Sequence, residues 1–358
     1  MRTHDVAFIG TGANPDEPSA DGHAMAYRHA AAYEGLENCR LVGCADIVPE
    51  NAKVFAAAFD VPAEAVFEDY RTMLASVKPD LVSVCTPPAN HAELVIGAAE
   101  SGEVDAIHCE KPMALTWGGA TRMAEVCDRH GVQLTFNHMR RFGEPFRATK
   151  RKVDAGVVGD LRRIEYTWGN FYDNGTHAVD MCNYFNDEHA AKWVIGQLDY
   201  QEEDVRFGTH NENQMLACWE YENGVYGMAA TGPATGLAEG DWRLVGSNGF
   251  IDVHLTDELA VQVYSTDPEA CERLEFDELA PGTTCIDLAI ADIVQSLEEG
   301  EPSELDAANA LKATEIIFAG YESVRRRSRI QLPLEIEDNP LESMVEDGTL
   351  SPASSRSD

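Results

Sequence analysis

The first 137 residues repeat one order that few folds accept: a short apolar segment, a stretch of helix formers, then another apolar segment. VAFIG (6–10), CRLVGCAD (39–46), LVSVCT (81–86), AIHCE (106–110) and VQLTFN (132–137) are the apolar segments. Between them run HAMAYRHAAAY (23–33), ENAKVFAAAF (50–59), HAELVIGAAES (91–101) and ALTWGGATRMAEVCDRHG (114–131). Strands that are apolar throughout, rather than alternating, belong to a parallel sheet buried on both faces, and the helices between them supply the cover. The expected fold class is α/β, with a doubly wound, Rossmann-type domain over residues 1–137.

From about residue 160 the rhythm changes. LRRIEYTW (161–168), QMLACWEYENGVYGMAA (214–230) and DWRLVGSNGFIDVH (241–254) read as hairpin material, with Asn223-Gly224 and Asn248-Gly249 as tight turns. Residues 138–335 are therefore expected to form an α+β domain with a large, mostly antiparallel sheet. Two late helices, near 285–299 and 305–328, could return to the first domain. Arg325, Arg326 and Arg327 close the second of these, where positive charge suits the helix dipole. The acidic tail 336–358 is polar enough to be expected disordered.

A chain of 358 residues with 62 acidic and 27 basic residues, seven of the latter Lys, carries a formal charge of −35. Such a surface repels nucleic acid and anionic membranes, which excludes both as partners. It matches a heavily solvated protein adapted to a high-salt cytoplasm, where a Debye length of about 3 Å screens the self-repulsion. No apolar run approaches the roughly 18 residues of a membrane span. MRTHDVAFIGTG enters a strand directly, without a signal-peptide core, so a cytoplasmic location is expected. The nine cysteines follow neither C-x-x-C nor zinc spacing, and no metal set is expected. Cys44, Cys85 and Cys109 lie in strand segments and read as inert core thiols.

Chemistry concentrates at the strand ends, where ligands of doubly wound sheets bind. Gly10-Thr11-Gly12 makes a turn whose glycines let backbone N–H groups approach a pyrophosphate. Pro15 stands where a third glycine is expected, and Asp16, Glu17 and Asp21 crowd the loop before Gly22. Asp46 ends the second strand and could accept hydrogen bonds from both ribose hydroxyls, favouring NAD over NADP. It could equally cap the helix after Pro49. CTPPANH puts Thr86, Pro87, Pro88, Asn90 and His91 on the expected cofactor side.

The order GTG, AD, CTPPANHAE and CEKP resembles the family of glucose-fructose oxidoreductase and inositol dehydrogenase, over about residues 5–335. The resemblance implies that Glu110-Lys111-Pro112 ends a strand beside the nicotinamide, with Lys111 touching the substrate hydroxyl. It also matches the family's Asp-x-Gly-x-His to Asp173, Gly175 and His177 in DNGTHAVD. Asp and His at i, i+4 would share one helix face, the carboxylate orienting the imidazole. His177 then serves as base, since an imidazole titrates near neutrality, and Lys111 polarises the oxygen or shares the proton. Which of the two finally holds the proton stays open.

The chain departs from the family where Gly159 reaches Asp173 in only 14 residues. A more open site, or one closed by a neighbouring subunit, would follow. Trp168, Asn170, Tyr172, Arg140 and Arg141 are candidate substrate contacts, with Trp168 equally a core candidate and one of the arginines expected to face solvent or to make a structural salt bridge. The implied activity is hydride transfer from a secondary alcohol of a sugar, polyol or cyclitol to NAD, with NADP possible, in a homo-dimer or homo-tetramer. An NAD-dependent glycosidase acting by redox-elimination would keep the same three catalytic residues. A non-catalytic nucleotide sensor would be expected to lack Lys111 or His177.

Overall fold

The computed structural model describes residues 2–13, 24–237, 240–255 and 258–353. Pro15, Asp16, Glu17, Asp21 and Gly22 lie outside the described residues. The chain divides into two compact units, the first made of Met1–Leu115, Gly119–Met139 and Ile286–Ala310, the second of Thr116–Gly118, Arg140–Cys285 and Leu311–Asp358.

In the first unit six strands alternate with five helices: β1 His4–Ile9, α1 Met25–Glu34, β2 Cys39–Ala45, α2 Pro49–Ala58, β3 Val66–Phe67, α3 Tyr70–Val77, β4 Leu81–Val84, α4 Pro88–Ser101, β5 Ala106–Cys109, α5 Trp117–His130 and β6 Gln133–Phe136. All pair in parallel in the order β3-β2-β1-β4-β5-β6. Strand order reverses between β1 and β4, and that switch point is where such sheets take ligands. The core follows from the apolar strands: Val6, Ala7, Phe8, Leu81, Val82, Val84, Ala106 and Ile107 are fully buried. Phe8 meets Phe55 of α2 and Tyr33 of α1. The pair β3–α3 escapes sequence reading because its strand is two residues long. Asp69 nonetheless starts the helix by accepting the Thr72 N–H at 2.8 Å.

The second unit begins with α6 Glu144–Asp154, β7 Leu161–Tyr166 and α7 Gly175–Phe185. It continues with β8 Ala191–Asp199, β9 Val205–Arg206, β10 Thr209–His210, β11 Gln214–Tyr221, β12 Tyr226–Ala230, β13 Trp242–Gly246, β14 Gly249–His254, β15 Ala260–Ser265 and β16 Glu272–Glu275. Next come α8 Cys285–Glu299, most of which belongs to the first unit, α9 Ala307–Arg326, β17 Ile330–Gln331 and α10 Pro340–Glu346. Nine strands form one sheet, β16-β15-β14-β13-β7-β12-β11-β8-β17, antiparallel except where β12 runs parallel to β7. The expected hairpins are present at Asn223-Gly224 and Asn248-Gly249. Along β11 burial alternates strictly, with Met215, Ala217, Trp219 and Tyr221 facing the core. On that face Trp242 donates from its indole to the Ala178 carbonyl of α7, and Ser323 of α9 accepts the Gly196 N–H at 2.9 Å.

The tail corrects an expectation. Residues 340–346 are helical, started by Asn339, whose side chain accepts from the Leu341 and Glu342 N–H groups. Pro340, Leu341 and Met344 are buried, and Glu342 accepts the His210 N–H, so this otherwise acidic segment packs against the second unit. Arg325 and Arg326 close α9 by pairing with the buried Glu322, and Arg325 also reaches Asp338 of the tail. No helix among the described residues is long and apolar enough to cross a membrane.

Candidate active site

At the switch point, Gly10 and Gly12 both adopt positive φ, +80° and +64°. A Cβ on Gly10 would lie 2.4 Å from the Thr86 methyl, so the end of β1 can approach the end of β4 only with glycine there. A Cβ on Gly12 would meet nothing within 4 Å, which leaves an open backbone face. Asp46 closes the turn from the other side. Its Oδ2 accepts from Thr11 N at 2.9 Å, Thr11 Oγ1 at 3.1 Å and Gly12 N at 3.0 Å, and its Oδ1 accepts from Val48 N at 2.8 Å. The carboxylate therefore holds the glycine turn and the start of α2 together, and Oδ1 keeps one acceptor position. Beside it Ile47 is 85% exposed, an apolar side chain that the first unit itself does not cover.

The end of β4 is built differently from expectation. Pro87 and Pro88 open α4, where missing N–H groups cause no loss, and Pro88 is buried. His91 is fully buried, with both ring nitrogens against backbone carbonyls of the protein. Its Nε2 lies 2.7 Å from the Thr86 carbonyl and its Nδ1 3.0 Å from the Pro112 carbonyl, so the imidazole braces the Lys111-Pro112 turn against β4. Burial pushes its pKa down, against the pull of these carbonyls. Thr86 Oγ1 is buried without a hydrogen-bond partner among the described residues, on the side chain whose methyl abuts Gly10. An open glycine backbone, an orphaned hydroxyl, an anchored carboxylate and an exposed apolar neighbour are groups that fit a dinucleotide.

Behind Lys111 lies a buried polar cluster that sequence reading missed. Glu110 accepts from Asn137 Nδ2 at 2.7 Å, from the Lys111 N–H at 3.2 Å, and faces His29 Nε2 at 3.0 Å. Burial alone would raise the Glu110 pKa, but His29 and Asn137 outweigh it and bring it to about 2. The carboxylate is thus ionised and held at three points, which fixes the residue before the half-buried Lys111. His108 on β5, two residues before Glu110, is kept neutral by burial and bonds Thr135 Oγ1 at 2.9 Å. Burial likewise pushes the Cys85 and Cys109 thiols up and Cys44 to about 12, which leaves them unreactive.

In the second unit, Asp173 and His177 do not share a helix face. The helix α7 starts only at Gly175, with Asn174 as its cap, so Asp173 stands in the preceding segment and His177 in the first turn. Asn170 is the reason. Its side-chain oxygen accepts from Asn174 N at 2.8 Å and Gly175 N at 3.4 Å, while its Nδ2 donates to Asn211 Oδ1 at 2.9 Å. The amide expected to touch substrate instead shapes the helix start. A Cβ on Gly175 would lie 2.4 Å from the Asn170 carbonyl, which explains the glycine of the motif. Asp173 and His177 are 8% and 5% exposed. The two arginines separate as expected. Arg141 is buried and paired with Asp180 and Glu188. Arg140 lies over the Trp168 ring at 4.2 Å, and Trp168 stacks on Trp242 at 5.8 Å.

Two family matches cover most of the chain. Residues 5–138 match the oxidoreductase family's NAD-binding Rossmann fold, and residues 150–332 match its C-terminal alpha/beta domain. The chain belongs to this family, that of glucose-fructose oxidoreductase and inositol dehydrogenase. An inositol 2-dehydrogenase of Burkholderia multivorans is 26% identical over 200 residues, covering 53% of this chain and 58% of that protein. A D-glucoside 3-dehydrogenase of Escherichia coli K12 is 31% identical over 249 residues, covering 61% of this chain and 67% of that protein. The aligned part thus spans between about half and two thirds of these relatives. A levoglucosan dehydrogenase, solved with NADH and levoglucosan, superposes with a TM-score of 0.75 over 93% of this chain and all of that one, at 21% identity. That likeness is one of fold.

As a member of this oxidoreductase family, the chain has an NAD-binding first unit, and NAD is its cofactor. His29 and Asn137 hold Glu110 in the first unit, Asn211 and Glu212 bond the 170–173 segment in the second, and the exposed Ile47 adjoins Asp46; none of the five stood out in the sequence. Ile47 had a signal available, since it follows the strand-ending Asp46. His29, Asn137 and the adjacent pair Asn211-Glu212 lie on separate segments, and no motif spacing ties them to the residues they hold.

Proposed function

We propose that this oxidoreductase removes hydride from a secondary alcohol of a sugar, polyol or cyclitol. The observation that carries the reading is that both motif groups are held by dedicated braces: Lys111 by the Glu110 cluster and His91, and Asp173–His177 by Asn170. Structural ion pairs need no such second layer, whereas catalytic groups do. NAD, when bound, accepts the hydride from carbon. Lys111 contacts the hydroxyl oxygen and stabilises its developing negative charge, His177 takes the proton, and Asp173 favours the charged imidazole. Asp46 Oδ1 receives a ribose hydroxyl and Ile47 underlies the adenine, with NAD preferred to NADP. Arg140, stacked on Trp168 and with no carboxylate in ion-pair range among the described residues, is the substrate contact in the second unit. The relatives named for inositol and glucoside oxidation support the substrate class.

The test is a screen of sugars, polyols, cyclitols and nitrophenyl glycosides with NAD and NADP in molar KCl. NADH accumulating with one polyhydroxy compound is expected. Nitrophenol release that needs NAD but yields no NADH would replace this reading with redox-elimination. With the substrate found, Lys111→Ala and His177→Ala should each lower kcat by at least about a hundredfold and leave NAD affinity unchanged. Near-normal turnover in either variant would remove that residue from the mechanism.

A homo-oligomer assembled through the outer face of the nine-stranded sheet completes the proposal. Ile195, Cys218 and Met228 lie side by side across β8, β11 and β12, and Ile195 and Tyr226 are 46% and 41% exposed. Beyond them the same face carries the ladder Glu165, Arg243 and Asp252. Light scattering in high salt reads the oligomeric state.

A further inference from the structure

The segment that carries Asp173 is gripped from below by two consecutive residues. Asn211 Oδ1 accepts from Asn170 Nδ2 at 2.9 Å and from Asp173 N at 3.3 Å. Glu212 Oε1 accepts from Phe171 N at 2.6 Å, and its Oε2 takes the hydroxyl of Tyr321 on α9. Asn170, Phe171 and Asp173 thus each bond through main chain or side chain to this pair, and Asn170 passes the constraint to the first turn of α7. Glu212 is 2% exposed and Asn211 fully buried. Asn211 is itself fixed, since its N–H donates to the Asp204 carbonyl at 2.8 Å and its Nδ2 to the Thr209 carbonyl at 3.1 Å.

We propose that Asn211 and Glu212 form a positioning clamp that sets the place of Asp173 and His177 and releases it as pH rises. The inference rests on the catalytic reading of Asp173 and His177 given above.

The groups around Glu212 explain the direction. Tyr321 faces it from α9, Tyr166 from β7, Asp204 and Arg206 from the segment before β10, and Asp173 lies 3.9 Å from Arg206. Burial is the largest influence and raises the Glu212 pKa to about 7, outweighing the Tyr321 and Phe171 hydrogen bonds that lower it, with Asp204 adding to the rise. An opening of the segment that returns Glu212 to water restores an ordinary carboxylic acid. The closed form then holds a proton that the open form has lost, between about pH 4.5 and 7. Raising pH through that window favours opening, by about tenfold per unit and by more than a hundredfold in all, and the effect levels off above it. Glu212→Gln keeps an oxygen for the Phe171 N–H and cannot ionise.

The test is hydrogen–deuterium exchange of residues 168–177 in the intact protein at high salt, corrected for intrinsic pH dependence. In the wild type, exchange at Phe171 and Asp173 should accelerate about a hundredfold from pH 4.5 to 7, while core strands of the second unit stay unchanged. In Glu212→Gln the profile should be flat at the slow limit. Asn211→Ala and Glu212→Ala should exchange fast at every pH, and with the screened substrate lower kcat at least tenfold without changing NAD affinity. A wild-type profile as flat as that of the Gln variant overturns the pH release. Slow exchange in a folded Asn211→Ala protein overturns the clamp. If the exchange results hold but His177→Ala turns over normally, the clamp stands and the catalytic reading falls.

Discussion

Single carboxylates decide much of this molecule, and Asp46 shows how one side chain can serve two purposes. Three of its four hydrogen bonds tie down the glycine turn, and the fourth reaches the start of α2. Its remaining acceptor position on Oδ1 is the one a ribose hydroxyl would take, and the same charge would repel a 2′-phosphate. Asp46→Ala should therefore weaken both cofactors through the loosened turn, but NAD at least about tenfold more than NADP, as the loss of a charge-assisted bond implies. Equal losses, measured by fluorescence titration, would mean the carboxylate serves the turn alone. Lys111 and Glu110 were legible as a motif because a charged pair before a proline at a strand end is conspicuous in so Lys-poor a chain. His91 stood in its motif equally plainly, yet sequence order could not say that both its ring nitrogens would face carbonyls of the protein itself.

Among the elements, the long periodic ones were readable and the short ones were not. Strands of the first unit are apolar on both faces and helices between them are long, so β1, β2, β4, β5 and β6 could be placed within a residue or two. The two-residue β3 has too little pattern to read, and α10 is seven residues in an acidic tail. That tail also shows where composition misleads. Averaged over 336–358 it is polar, but Leu341 and Met344 are spaced to lie on one face, and Asn339 supplies the cap. The same helix supports the clamp region, because Glu342 accepts the His210 N–H at 2.8 Å, one residue before Asn211. Deleting residues 336–358 exposes the surface covered by two fully buried apolar side chains, a loss of about 3–6 kcal/mol. The expected result is a second-unit unfolding midpoint lower by about 10 °C in calorimetry, with faster exchange at 209–212. An unchanged midpoint would show that α10 only lies on the surface.

For the whole molecule the dominant quantity is the charge of −35 on 358 residues. Cations are too few to balance it locally. The buried Arg141 is already committed to Asp180 and Glu188, and the buried Glu322 takes both Arg325 and Arg326. The uncompensated acids therefore repel one another across the surface at distances well beyond contact. At 0.1 M salt the screening length is about 10 Å, long enough for neighbouring carboxylates to feel each other; at 1 M it is about 3 Å. Unfolding spreads these charges, so low salt favours the unfolded chain. Raising KCl from 0.1 to 2 M should raise the unfolding midpoint by about 10 °C or more, most steeply below 1 M where the screening length changes fastest. Betaine at equal osmolality separates screening from general exclusion, since it carries no net charge. A rise with KCl and little with betaine is expected. Equal rises would assign the effect to exclusion from the surface, and no rise with either would mean that the acidic surface is tolerated without screening.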